Sequence, residues 1–168
     1  MKNLTNLTDV LIYVLKGMYD GERKLQRSMP KFLERISSPM LRDELNRYHE
    51  NSEKKLNKLE RAFEYLDLKP GGRQNTIMGD LLEEIKNLLM HAPNDEVRDA
   101  ILIGSIQNIN HYKISGYGTA HAFCEELRKR EVEEILQEIL DMEWETDQTL
   151  TRLAVDVINE RAHETEIG

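Results

Sequence analysis

Glu22 and Glu143 are the residues of this chain best placed to do chemistry, because each interrupts an otherwise apolar row. The first row reads Leu11, Leu15, Met18, Glu22, Leu25, Met29, Phe32, Ile36. The second reads Val132, Ile135, Ile139, Glu143, Thr146, Leu150, Leu153, Val157. Two further rows are broken near the same level, one by Tyr48 with Ser52 and one by Asn110. Steps of three and four residues put each row on one face of a helix. A carboxylate buried without a partner costs several kcal/mol or more. Carboxylates aimed into a helical core are therefore held by hydrogen bonds from neighbours or bound to a cation, and pairs of metal ions are a recurrent solution in bundles.

Four long helices must position these residues. The first is predicted over about 8–37, capped by Asn6 or Thr8, with its periodicity running on past Pro30. Ser38 as cap and Pro39 at the first helical position start the second, over about 39–66. Its row is Leu41, Leu45, Tyr48, Ser52, Leu56, Leu59, Phe63, and Pro70-Gly71-Gly72 follows its end. A short amphipathic helix is predicted over about 76–90. The third long helix, about 95–127, is capped by Asn94 or Asp95 and carries the row Ile103, Ile106, Asn110, Ile114, Tyr117, His121, Cys124. A second stripe on it, Gly104, His111, Ser115, Gly118 and Ala122, is small or polar and would admit a close neighbour. The fourth long helix is predicted over about 131–160, with a frayed tail from His163 to Glu166.

The connections set the topology. The links between the first and second and between the third and fourth long helices are short, so each pair is antiparallel. The link between the second and third is long and contains the extra short helix, so it can carry the chain to the other end of the bundle. The expected fold is all-α: a ferritin-like four-helix bundle with one long crossover, as a single domain over 1–168.

Composition narrows the function. The 168 residues include 23 basic and 31 acidic side chains, a formal net charge of −8. Nucleic acid or an anionic membrane would need a basic face, and Arg128-Lys129-Arg130 is the only basic triplet. No segment is long and apolar enough for a membrane span, and Met1-Lys2-Asn3-Leu4 does not open a signal-like stretch. Cys124 is the only cysteine, which fits a cytoplasmic protein without disulfides. Gly71-Gly72 lacks the following Gly-Lys-Ser/Thr of a phosphate loop.

From about Thr8 to Leu153 the chain resembles the YciE/YciF family of ferritin-like proteins. The resemblance is carried by Tyr19-Asp20-Gly21-Glu22-Arg23-Lys24-Leu25, Ser37-Ser38-Pro39 and Leu59-Glu60-Arg61-Ala62-Phe63. Further matches are Val97-Arg98-Asp99-Ala100-Ile101-Leu102, His111-Tyr112, Tyr117-Gly118-Thr119, and Glu143 and Asp147 before Leu150-Thr151. The resemblance implies a bundle that dimerises, a two-metal centre and an association with stress responses. It also exposes departures. Tyr48 stands where the family has a histidine, Asn110 where it has a glutamate, and Lys113 and Met142 where it has acidic residues.

The remaining metal candidates are Glu22, His111, Glu143 and Asp147. They suit at most one weakly held divalent ion, iron or manganese if the site works. The only Glu-x-x-His pair, Glu160 with His163, lies about 25 Å along the helix from Glu143 at 1.5 Å per residue. The competing expectation is a polar core layer in which Tyr48, Ser52, Asn110 and Thr146 donate hydrogen bonds to the two glutamates. Two functions stay open: a stress-associated homodimer with a degenerate dimetal site, acting by assembly rather than catalysis, or a metal-dependent oxidoreductase or iron-handling protein with a reduced ligand set.

Overall fold

Side-chain caps start the first two long helices where the sequence predicts, whereas the Asn94 side chain makes no cap hydrogen bond at the third. The computed structural model describes residues 3–165; Met1, Lys2 and residues 166–168, with the predicted fraying at Glu166, lie outside the described residues. Helix α1 (Leu7–Leu33) is capped by the Asn6 side chain, which accepts from the Asp9 amide, and it continues through Pro30. Helix α2 (Pro39–Tyr65) is capped by Ser38. Helix α3 (Thr76–His91) lies within the crossover, and α4 (Asp95–Glu126) and α5 (Arg130–Leu153) form the second antiparallel pair.

Around the bundle, α1 packs against α2 and α4, and α5 packs against α2 and α4. The start of α1 shares a core block with the ends of α2 and α4 and the start of α5, and the other halves share the second block, so every neighbouring pair is antiparallel. The crossover therefore climbs from the end of α2 to the opposite end of the bundle, with α3 laid over α1 and α4. Two glycines on α1 admit it. A Cβ on Gly17 would collide with the Arg73 guanidinium, and one on Gly21 would sit 2.9 Å from Asn75 Nδ2. Buried Asn75 then ties the loop down, donating to Gly17 O at 2.9 Å while its own amide donates to Asp20 at 2.7 Å.

Two boundaries differ from expectation. Helix α1 ends at Leu33 rather than near Ser37, because Asp99 of α4 draws the following turn away from the helix. The Asp99 carboxylate accepts the Ser37 amide at 2.9 Å, the Ser37 hydroxyl at 2.6 Å and the Ser38 amide at 2.7 Å. Hydrogen bonds to a charged acceptor contribute about 1.5–3 kcal/mol each, and Asp99 is buried. Asp99→Ala is therefore expected to cost about 3 kcal/mol, measured by urea unfolding. The last long helix also fails to run straight to residue 160. It ends at Leu153 in a π-helical turn, Ala154–Ile158, before the short α6 (Asn159–Glu164). The wider turn rephases the helix so that Leu153, Ala154 and Ile158 all stay buried.

The apolar core comes in two blocks. One holds Leu25, Met29, Phe32, Leu41, Leu45, Ile103 and Ile106; the other holds Leu11, Leu15, Leu59, Phe63, Val132 and Leu136. Between them lies a layer of buried polar and charged residues. Among the described residues no helix is long and apolar enough to cross a membrane.

Candidate functional site

Strict alternation of three- and four-residue steps explains which side chains meet in that layer. On α1 it reaches Glu22. On α2 it runs Leu45, Tyr48, Ser52, Lys55, Leu59, and on α4 Ile106, Asn110, Lys113, Tyr117, Ala120. On α5 it runs Leu136, Ile139, Glu143, Thr146, Leu150. Two carboxylates and two ammonium groups thus converge at the bundle centre, and Glu22, Lys55, Lys113 and Glu143 are each fully buried.

Lys113 is the hub. Its Nζ lies 2.8 Å from Glu22 Oε1 and 2.7 Å from Glu143 Oε1, and it donates to the Tyr48 hydroxyl at 3.2 Å. All three of its N–H donors are used. Lys55 donates to the same Glu143 Oε1 at 2.6 Å. The Tyr48 ring lies against both ammonium groups, with centroid distances of 4.7 Å to Lys55 and 4.8 Å to Lys113, within cation–π range. Tyr117 donates to Glu22 Oε1 at 2.8 Å, and Ser52 reaches Glu22 Oε2 at 3.4 Å. Asn110 Nδ2 donates to Glu143 Oε2 at 2.7 Å and to the Glu143 carbonyl at 3.1 Å.

Ionisation follows from these contacts. Burial pushes the Glu143 carboxyl up, but Lys113 and Lys55 beside it more than offset that and hold it below its ordinary 4.5. Burial disfavours charge on Lys113, yet two carboxylates hold its pKa well above the ordinary 10.5. Burial prevails at Lys55, which has one carboxylate oxygen to itself and Lys113 together, so its pKa falls. Burial and the nearby carboxylates raise both Tyr48 and Tyr117.

A depressed carboxyl pKa means that the folded chain binds that proton less readily than the unfolded chain. Its contribution is complete above pH 4.5 and is lost as pH falls below it. The stability gap between wild type and Glu143→Gln is therefore expected to be wide at pH 7 and to narrow below pH 4.5, as read from urea melts.

The predicted site residues divide into two groups. Glu22 and Glu143 meet at the centre with Tyr48, Ser52 and Asn110. His111 and Asp147 lie elsewhere: His111 Nε2 is 2.7 Å from Asp147 Oδ1 across the outer edge of α4 and α5, with the His111 side chain 64% exposed. The expected hydrogen-bond roles also shift. Tyr48 accepts from Lys113 rather than serving a glutamate, and Thr146 donates to its own helix at Met142 O, 2.9 Å away. The row read through Ile114 and His121 is displaced too, since Lys113 and Ala120 take the interior. Lys55 was missed altogether. Cys124 is buried as expected, and burial with nearby Glu133 pushes its thiol up to about 11, which suits packing rather than nucleophilic attack.

This donor set does not fit a pair of divalent ions. Glu143 Oε1 is shared by two ammonium groups, Glu22 Oε1 by an ammonium and a phenol, and Glu143 Oε2 by an amide. Asn110 Oδ1 is the layer's remaining buried atom without a hydrogen-bond partner among the described residues, and a single amide oxygen does not make a metal site. With two negative and two positive charges, the layer is balanced by its own lysines.

The comparisons agree with this architecture. Residues 6–163 match the family model described as "Domain of unknown function (DUF892)". Protein YciF of Escherichia coli K12 is 30% identical over 161 residues, covering 95% of this chain and 97% of YciF. The crystal structure of the Escherichia coli stress protein YciF superposes with a TM-score of 0.88, covering 93% of this chain and 99% of that one. YcfI of Rhodopseudomonas palustris, provisionally described as a structural protein, is 25% identical with a TM-score of 0.87, covering 89% of this chain and 96% of its own.

Proposed function

The chain belongs to the DUF892 family, and from that membership we propose a YciF-like, stress-associated protein with a structural role, whose dimetal site is degenerate and whose bundle centre is closed by Lys55 and Lys113. The observation that carries this reading is the seating of Lys113 between Glu22 and Glu143, bonded to both. A cation that reaches the centre must displace an ammonium already covalently tethered there. The description of YciF as a stress protein and of YcfI as a structural one supports the role.

Such a protein acts by assembly, and α4 offers the surface for a homodimer. From Ile101 to Cys124 the one Asp, Glu, Lys or Arg is Lys113, which points inward. Gly104, Asn108, His111, Ser115 and Ala122 are exposed on this helix, and a Cβ on Gly104 or Gly118 would meet nothing within 4 Å. An uncharged face of this length is unusual in a chain of which 32% is charged. Trp144 of the adjoining α5 is 49% exposed.

Elemental analysis of protein purified from iron- and manganese-replete cytoplasm tests the central claim. The expected result is substoichiometric metal. Stoichiometric iron or manganese, lost on Glu22→Ala, would replace this reading with the metal-dependent one. Light scattering tests the assembly: a dimer is expected, converted to monomer by Ser115→Arg.

A further inference from the structure

We propose that the cleft between the start of α1 and the loop entering α3 binds one small amphipathic carboxylate, such as a fatty acid. The cleft encloses about 520 Å³, within the roughly 300–1,000 Å³ usual for small-molecule sites. Leu4, Ile12, Tyr13 and Leu68 line it with apolar surface, and Lys16 and Arg73 add positive charge.

One wall is held by several contacts. Arg73 donates to Tyr13 O at 2.7 Å and stacks on the Tyr13 ring at 3.5 Å from the centroid. Beyond Arg73, Asn75 is anchored to Gly17 and Asp20, and Lys24 donates to Asn75 O at 2.7 Å. Gly71 and Gly72, with φ of 89° and 83°, turn the loop after α2, and Gly72 lines the cleft.

Charge selects the ligand class. Among the described residues neither Lys16 nor Arg73 forms an ion pair, although the chain as a whole is acidic. Asp9 at the rim is the one carboxylate lining the cleft, and its Oδ2 already accepts the Thr5 amide at 3.0 Å and hydroxyl at 2.7 Å. Among the described lining residues the cations, Lys16 and Arg73, outnumber the anion over an apolar floor. That complements an anionic head with a hydrocarbon body and disfavours a cationic one.

Isothermal titration of the full chain with sodium dodecanoate tests the proposal. Saturable 1:1 binding is expected, weakened at least tenfold by Lys16→Gln, with no binding of dodecylammonium. Lys16 fastens no part of the fold, so its variant keeps the wild-type circular dichroism; Lys31→Gln, on the far end of α1, should bind as wild type. Absence of saturable binding overturns the proposal, as does equal binding of dodecylammonium or an affinity indifferent to Lys16→Gln. None of these outcomes touches the buried lysine centre, so the two readings fail separately.

Discussion

Lys113→Met is expected to lower stability by about 3–5 kcal/mol, the usual cost of removing one partner from a buried ion pair. For a domain of this size that corresponds to a fall in Tm of roughly 10 °C. Methionine keeps most of the stem volume, so the loss reports charge rather than a cavity. The physical reason lies in what remains. Glu22 would keep only Tyr117 and a long contact from Ser52, and Glu143 would keep Lys55 and Asn110. Two buried carboxylates would then face one ammonium. Lys55→Met should cost less, because Lys55 holds a single carboxylate oxygen and burial already disfavours its charge. The ordering is the sharper test: equal losses, or a larger loss for Lys55→Met, would show that the charge balance described above is not what holds the centre.

Much of this centre was legible in the sequence, and the reason for the rest is specific. Glu22, Asn110 and Glu143 announced themselves because they fall in rows that are otherwise apolar. Lysine does not announce itself in that way, since its ordinary place is in solvent. On α2 the apolar row steps four residues from Ser52 to Leu56, whereas alternation from Tyr48 and Ser52 requires a step of three, to Lys55. On α4 the apolar Ile114 stands one residue past Lys113 and masks it. An apolar residue adjacent to a charged one is the natural choice for a core position, unless the charge is neutralised inside. Keeping the three-four alternation strict on all four helices would have placed both lysines opposite both glutamates.

His111 and Asp147 show a complementary limit. Family resemblance marked both positions, and the two do meet, at 2.7 Å. They meet on the outside of the α4–α5 pair because each stands one residue beyond an interior position, His111 after Asn110 and Asp147 after Thr146, about 100° round its helix. The crossover is a case where local signals sufficed. Pro70-Gly71-Gly72 and Asn75 mark the end of α2 and the start of α3, and the glycines on α1 leave room for the loop to lie close.

If the ammonium groups stand where a bundle of this type could hold cations, removing them should restore an appetite for cations. Lys55→Ala with Lys113→Ala leaves Glu22 and Glu143 buried, close and without a cation, since one Lys113 nitrogen touches both in the wild type. Their mutual repulsion makes the double variant unstable without a counterion. Manganese or cobalt(II) would find two carboxylate oxygens, the Asn110 Oδ1 acceptor and space vacated by two side chains for water ligands. A ligand that binds only the folded state stabilises by RT ln(1 + [L]/Kd), about 2.7 kcal/mol at a hundredfold excess over Kd. The double variant should therefore melt several degrees higher with added manganese and lose that gain on Glu22→Gln. Wild-type protein should melt at the same temperature with or without the ion, because its own lysines already neutralise the centre. A wild-type melt that rises with manganese as far as the variant's would mean that the tethered ammonium groups yield readily to a metal, and the structural reading of this bundle would give way to a metal-dependent one.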